Sequence, residues 1–154
     1  MTNIEGMQLA IELATRKRDT LAQALSQARQ QWVGAQLQLD QLEAYAQETT
    51  SRWGAQSGRC APEIMRHHYQ FMERLVHAMR LQTSVVAEHA ARVSQEADIV
   101  RAAEARLESL RQVQAQRERE EQVLRQRREQ KQSDELAAAQ HRRLLNGGMA
   151  GFVG

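Results

Sequence analysis

The chain has few of the residues that make turns or fill compact cores. Its 154 residues include a single proline, Pro62, eight glycines, and two each of tryptophan, tyrosine and phenylalanine. A globular domain of this length normally carries more large apolar residues and more turn-forming residues. Alanine, glutamine, arginine, glutamate and leucine dominate instead, and that mixture is typical of long helices or a coiled coil.

Three further absences bear on the compartment. Cys60 is the only cysteine, so an intrachain disulfide is impossible and a reducing compartment is expected. No stretch approaches the roughly 18 consecutive apolar residues of a transmembrane helix. The N-terminus also lacks the basic, apolar and small-residue order of a signal peptide. We therefore expect a soluble, cytoplasmic protein.

The charge is balanced, with 21 basic and 19 acidic residues and a net charge of +2. So mild an excess does not by itself indicate a nucleic-acid or anionic-membrane partner. The basic C-terminal part could bind nucleic acid in a salt-dependent way, but interleaved acidic residues argue against it: Glu118, Glu120, Glu121, Glu129, Asp134 and Glu135.

Motifs for catalysis or metal binding are missing from the sequence. There is no glycine-rich phosphate loop, no HExxH and no cysteine pair. His67 and His68 are neighbours, so they lie on different faces of a helix and cannot chelate one ion as a spaced pair would. The carboxylates lie on straight helices without a pocket to perturb their pKa values. We expect no enzymatic activity, no catalytic residues, no metal and no cofactor.

An apolar seam predicts the first helix, over about residues 4–54. Asn3 is a good N-cap residue, and from Ile11 onward mostly apolar residues recur at alternating spacings of three and four. This alternation, held for about six heptads, is typical of a coiled coil. The seam residues are Ile11, Ala14, Arg18, Leu21, Leu25, Ala28, Trp32, Ala35, Leu39, Leu42, Ala46, Thr49 and Trp53.

A turn over residues 55–61 separates this helix from a second one, over about 62–145. Gly54 and Gly58 can adopt the left-handed conformations that end helices, and Pro62 suits a first helical position. The predicted second seam is Met72, Val76, Met79, Thr83, Val86, Ala90, Val93, Ala97, Val100, Glu104 and Leu107. One continuous dimerising helix would need Gly54, Gly58 and Pro62 inside it. We therefore predict an all-α fold, a long antiparallel two-helix coiled-coil hairpin over residues 1–146.

The second helix is predicted to overhang the first. Folding about residue 59 or 60 pairs position i with roughly 120 − i, so residue 4 lies opposite about residue 116. The stretch from there to Arg143, about 27 residues or roughly 40 Å, has no partner in its own chain and is rich in charge. Such an end is either solvated and frayed or ordered inside a partner. Residues 147–154 are glycine-rich and are expected to be disordered.

A second apolar stripe is predicted beside the seam of helix two. Its residues are Phe71, Leu75, Ala78, Gln82 and Val85, and Gln38, Leu42 and Tyr45 flank the seam of helix one. The pairing rule places these stripes side by side across the hairpin. Contiguous exposed apolar surface usually marks a binding site, and aromatic residues are enriched in interface cores. The alternative is that a broad seam buries these residues.

Three stretches resemble the FliJ family of bacterial flagellar export proteins: "QLDQLEAYAQE" at 38–48, "HHYQFMERLVHAM" at 67–79 and "RREQKQSDELAAAQHRR" at 127–143. The resemblance covers roughly residues 5–145. It implies an antiparallel two-helix coiled coil similar to the rotor stalk of rotary ATPases. It also implies binding to the centre of the hexameric flagellar export ATPase, contact with the cytoplasmic domain of the membrane export gate, and handling of export chaperones. The protein would then be a monomer when free and associate peripherally with the cell membrane at the flagellar base.

The resemblance also implies site residues. The gate-binding patch falls on Gln38, Leu42, Tyr45, Phe71, Leu75, Ala78 and Gln82. Gln82 stands where a histidine can occur in the family, and Thr49 where a second tyrosine is common, so both depart from the pattern. Candidates for the ATPase contact are Arg125, Arg128, Glu129, Gln130, Lys131, Asp134 and Glu135. Two alternatives stay open: a structural coiled-coil scaffold that dimerises through the stripe, and the equivalent stalk protein of a virulence secretion system.

Overall fold

Two long helices make up the fold. In the computed structural model, which describes residues 3–56 and 58–153, helix α1 spans Asn3–Gln56 and helix α2 spans Pro62–Val153. The described residues contain no strand. The helices have 54 and 92 residues, and they pack against each other. The predictions of an all-α two-helix hairpin and of a longer return helix are therefore confirmed.

The connection between the helices is short and is closed by backbone hydrogen bonds. The amide of Arg59 donates to the carbonyl of Gln56 at 3.1 Å, and the amides of Ile64 and Met65 donate to the carbonyl of Ala61 at 3.0 and 3.2 Å. Pro62 opens α2, where its missing N–H costs no intrahelical bond. Ser57, within the predicted turn, lies outside the described residues.

The predicted role of the turn glycines is wrong. We expected Gly54 and Gly58 to adopt left-handed conformations, but no described glycine has a positive φ. Helix α1 continues through Gly54 to Gln56. The thiol of Cys60 donates to the carbonyl of Gln56 at 3.4 Å. This carbonyl at the end of α1 therefore accepts bonds from both the Arg59 amide and the Cys60 thiol in place of an intrahelical partner.

The chain divides into two compact units, Glu12–Leu107 and Met1–Ile11 with Glu108–Gly154. The interpretation of residues 1–146 as one domain stays a prediction. Helix α2 includes residues 147–153, for which we predicted disorder, while Gly154 lies outside the described residues. The prediction of a disordered tail also stays open. Gly147 and Gly148 each weaken a helix by about 1 kcal/mol, and neither packs against a neighbour.

The unit Glu12–Leu107 contains every fully buried apolar residue of the described chain: Leu25, Ala28, Ala35, Leu39, Leu75, Val100 and Leu107. Four of these lie on α1 at predicted seam positions. The remaining seam residues of α1 within this unit are half-buried, except Trp32, which is 38% exposed. The predicted seam of α1 is thus confirmed.

The predicted seam of α2 is correct at seven of its eleven positions. Met72, Met79, Val86, Val93, Ala97, Val100 and Leu107 are buried or half-buried as expected, but Val76, Thr83, Ala90 and Glu104 are exposed. The residue before each exposed one is buried or half-buried instead: Leu75, Gln82, His89 and Ala103. Both registers alternate three and four, so periodicity alone does not choose between them.

The unit Met1–Ile11 with Glu108–Gly154 contains no fully buried residue among those whose burial is described. From residue 115 to residue 148, every side chain is exposed except Glu121 and Ala139, which are half-buried. The described part of the chain also has no helix long and apolar enough to cross a membrane. The polar stretch predicted to lack a partner in its own chain is therefore exposed on nearly all sides.

Candidate functional site

The predicted patch is assembled across the two helices. The rings of Tyr45 on α1 and Phe71 on α2 meet edge to face, with centroids 6.0 Å apart and planes at 84°. Such a pair contributes about 0.5–1.5 kcal/mol beyond the area it buries. The Nε2 amide of Gln82 donates to Oε1 of Gln38 at 3.2 Å, which confirms that these two residues lie opposite each other. We call the seven predicted residues together the Tyr45–Phe71 surface.

The seven residues lie at different depths. Leu75 is 7% exposed and belongs to the core, whereas Tyr45 and Phe71 are 52% and 39% exposed. Leu42, Ala78 and Gln82 are half-buried, and Gln38 is exposed. The prediction that the stripe of α2 stands apart from the seam is wrong, because Leu75 and Gln82 are themselves seam residues. What a partner can reach is the aromatic pair and the amide of Gln38.

Gln82 is a polar residue among mostly apolar residues in the seam of α2. Its Nε2 also donates to the carbonyl of Ala35 at 2.9 Å, so it bonds across the interface to two residues of α1. A polar group at one seam position typically specifies register and lowers stability. Periodicity does not predict this role, because it fits the register that includes Gln82 and the register that includes Thr83 equally well.

We expect Gln82→Leu to raise the free energy of unfolding by about 1 kcal/mol. The carbonyl of Ala35 keeps its intrahelical bond and the exposed amide of Gln38 becomes hydrated, so no buried polar group loses its partner. Urea unfolding followed by circular dichroism measures the change. The matched control, Gln38→Leu, alters only the exposed partner and should stay within about 0.5 kcal/mol. A destabilised Gln82→Leu variant would contradict this account.

The predicted ATPase-contact residues lie together on one exposed stretch of α2. All seven are exposed: Arg125, Arg128, Glu129, Gln130, Lys131, Asp134 and Glu135. Among these seven residues, one hydrogen bond joins two side chains: Nε2 of Gln130 donates to Oδ1 of Asp134 at 3.1 Å. The ion pairs found in the described residues lie elsewhere, at Arg18–Asp19, Arg52–Glu48 and Arg101–Asp98. Charges of both signs are thus left free to pair with another molecule.

An aromatic stack near the turn was missed by the sequence analysis. The ring of His68 lies parallel to the indole of Trp53, with centroids 4.0 Å apart and planes at 8°. Trp53 was a predicted seam residue, but His68 was not. The sequence feature that indicates a seam position for His68 is its spacing: it precedes Met72 by four residues, and Met72 precedes Leu75 by three, so the observed seam continues toward the turn. No cluster of three or more metal-ligating side chains occurs among the described residues.

The fold places the chain in the class of all-α proteins built from two long helices that pack against each other. A family model described as "Flagellar FliJ protein" matches residues 6–145, nearly the whole chain. The chain therefore belongs to the FliJ family, as its sequence resemblance indicated, and this family is a non-catalytic component of the flagellar export apparatus. No curated protein and no solved structure matches the chain.

Proposed function

We propose that this protein couples the hexameric flagellar export ATPase to the membrane export gate. The end of α2 binds the centre of the ATPase ring, and the Tyr45–Phe71 surface binds the cytoplasmic domain of the gate. The protein acts without catalysis of its own, in the cytoplasm at the flagellar base, where it also handles export chaperones. Its activity supports export, flagellum assembly and motility.

The exposed end of α2 carries the ATPase part of this proposal. A helix is marginal in water unless it buries an apolar face, yet residues 115–148 bury almost nothing. Partner contacts can supply what the chain itself does not. Arginine and lysine alternate there with glutamate and aspartate, so polar groups of either sign in a ring pore find a counterpart. Removing this stretch is expected to abolish stimulation of the ATPase.

The mechanism follows from asymmetry. A single helical segment among six equivalent subunits cannot contact them all equally. Contacts that differ from subunit to subunit favour one arrangement of the ring over the others, and a ligand shifts a conformational equilibrium by its difference in affinity for the states. The coupling to the gate then requires a second contact on the same chain, and the Tyr45–Phe71 surface supplies it.

The exposed aromatic pair carries the gate part. Aromatic residues dominate interface hot spots, where truncation costs 2 kcal/mol or more. We expect the double variant Tyr45→Ala with Phe71→Ala to weaken binding of the gate's cytoplasmic domain at least tenfold, or about 1.4 kcal/mol. Isothermal titration calorimetry with the isolated gate domain measures this loss.

The matched control is Val33→Ala with Leu37→Ala. These two residues of α1 are 59% and 56% exposed and lie outside the Tyr45–Phe71 surface, so gate binding should stay within twofold. Circular dichroism should show an unchanged helix content for both double variants, because all four side chains are exposed. Equal affinity of the two double variants for the gate would remove the aromatic pair from the proposal.

A further inference from the structure

An apolar depression lies between the helices, away from the Tyr45–Phe71 surface. It has a volume of about 280 Å³ and is lined by Ala14, Lys17 and Leu21 from α1 and by Ile99, Ala103 and Arg106 from α2. All of these residues belong to the unit Glu12–Leu107. Lys17 precedes Tyr45 by 28 residues of one helix, which is about 42 Å at 1.5 Å per residue. The depression is therefore separate from the Tyr45–Phe71 surface.

Small residues create this depression. Ala14 and Ala103 occupy positions where larger side chains would fill the space between the helices, and Ile99 stands at the rim with 46% of its surface exposed. Exposed apolar surface rimmed by polar groups is typical of an interaction site. The volume falls just below the roughly 300–1,000 Å³ of small-molecule sites, so an inserted aliphatic or aromatic side chain fits it better than a free ligand.

The charged residues that line the depression are both basic. Its two charged lining residues are Lys17 and Arg106, one on each helix, and no carboxylate lines it. Within the described residues, neither cation has an ion-pair partner, whereas the nearby Arg18 and Arg101 are paired with Asp19 and Asp98. Two available cations on either side of an apolar opening complement an apolar side chain flanked by carboxylates.

We propose that this depression, the Lys17–Arg106 pocket, is a docking site for an acidic amphipathic helix of a partner protein. A helix in the groove between α1 and α2 inserts one large apolar residue above Ala14 and Ala103, as in helix-in-groove recognition. Glutamate or aspartate residues on the two flanks of its apolar row pair with Lys17 on one side and Arg106 on the other. The guanidinium of Arg106 can bind a carboxylate through two parallel hydrogen bonds. This site goes beyond the proposed contacts with the ATPase and the gate.

Two synthetic helical peptides test the proposal on the full chain. Both carry the same row of leucines, flanked by glutamates in one and by lysines in the other, and fluorescence anisotropy measures their binding. We expect the acidic peptide to bind at least tenfold more tightly than the basic one. Ile99→Ser should weaken the acidic peptide at least fivefold, and Lys17→Glu with Arg106→Glu should reverse the preference between the peptides.

The charge control is Arg29→Glu with Arg66→Glu, which changes the net charge equally at exposed residues that do not line the pocket. This variant should keep the preference for the acidic peptide. Equal binding of both peptides by the native chain, no binding of the acidic peptide, or binding unaffected by Ile99→Ser would each overturn the proposal. The Ile99→Ser variant should stimulate the ATPase and bind the gate as the native chain does. Loss of peptide binding is therefore distinguishable from failure of the proposed function.

Discussion

Leu75→Ala is expected to lower the free energy of unfolding by about 2–5 kcal/mol, the range for truncating a buried leucine. Leu75 is 7% exposed and contacts the core between α1 and α2. Because small proteins are stable by only about 5–15 kcal/mol, this single change removes a large share of the total. Urea unfolding followed by circular dichroism measures it. Any weakened gate binding by this variant would then follow from lost structure.

The control for this prediction is Leu81→Ala. Leu81 lies on the same helix but is 57% exposed, so the same chemical change should alter the free energy of unfolding by no more than about 0.5 kcal/mol. If Leu75→Ala unfolds at the native urea concentration yet binds the gate poorly, Leu75 acts as a surface contact. The original interpretation of a stripe apart from the seam would then be restored.

Ending the chain after Val113 is expected to abolish stimulation of the export ATPase. The truncation removes residues 114–154, which include all seven predicted ATPase-contact residues and the exposed charges around them. It leaves the unit Glu12–Leu107 with all of its buried residues. Release of inorganic phosphate by the ATPase, with and without the added chain, measures the loss as a return to the unstimulated rate.

A second truncation, after Leu145, provides the matched control. It removes only the glycine-rich end and keeps the charged stretch, so stimulation should stay near the native level. The thermal unfolding midpoint of the unit Glu12–Leu107 should be similar in both truncated chains. Full stimulation by the chain ending at Val113 would refute insertion of the end of α2 into the ring.

Local features were sufficient to predict the helices and the seam of α1. Pro62 begins α2 as expected, since its fixed φ and missing N–H suit a first helical position. Along α1, the apolar residues have one clear alternation of three and four, and burial follows it. The glycine prediction failed because an exposed glycine such as Gly54 is tolerated in a helix at a cost of about 1 kcal/mol.

The candidate gate surface was predicted in location but not in depth. Pairing about residue 60 placed Gln38 opposite Gln82, as observed. It placed Tyr45 opposite Leu75, whereas the ring of Tyr45 contacts Phe71, one helical turn away. The burial of Leu75 could not be predicted, because Leu75 and Val76 are adjacent and equally suited to a seam. The same ambiguity applies to Gln82 and Thr83. The gate-binding and ATPase-binding roles of the predicted site residues stay predictions until binding is measured.

Sequence alone determined the class of fold, the position of the turn and the unequal helix lengths, because propensity, periodicity and a single proline act over a few residues at a time. Only the tertiary structure decided which face of α2 meets α1. That choice depends on how side chains far apart in sequence fit together: Gln82 against Ala35, His68 against Trp53, and Phe71 against Tyr45. The packing of α2 against α1 also forms the Lys17–Arg106 pocket, because small residues leave a space between two helices only where they lie opposite each other.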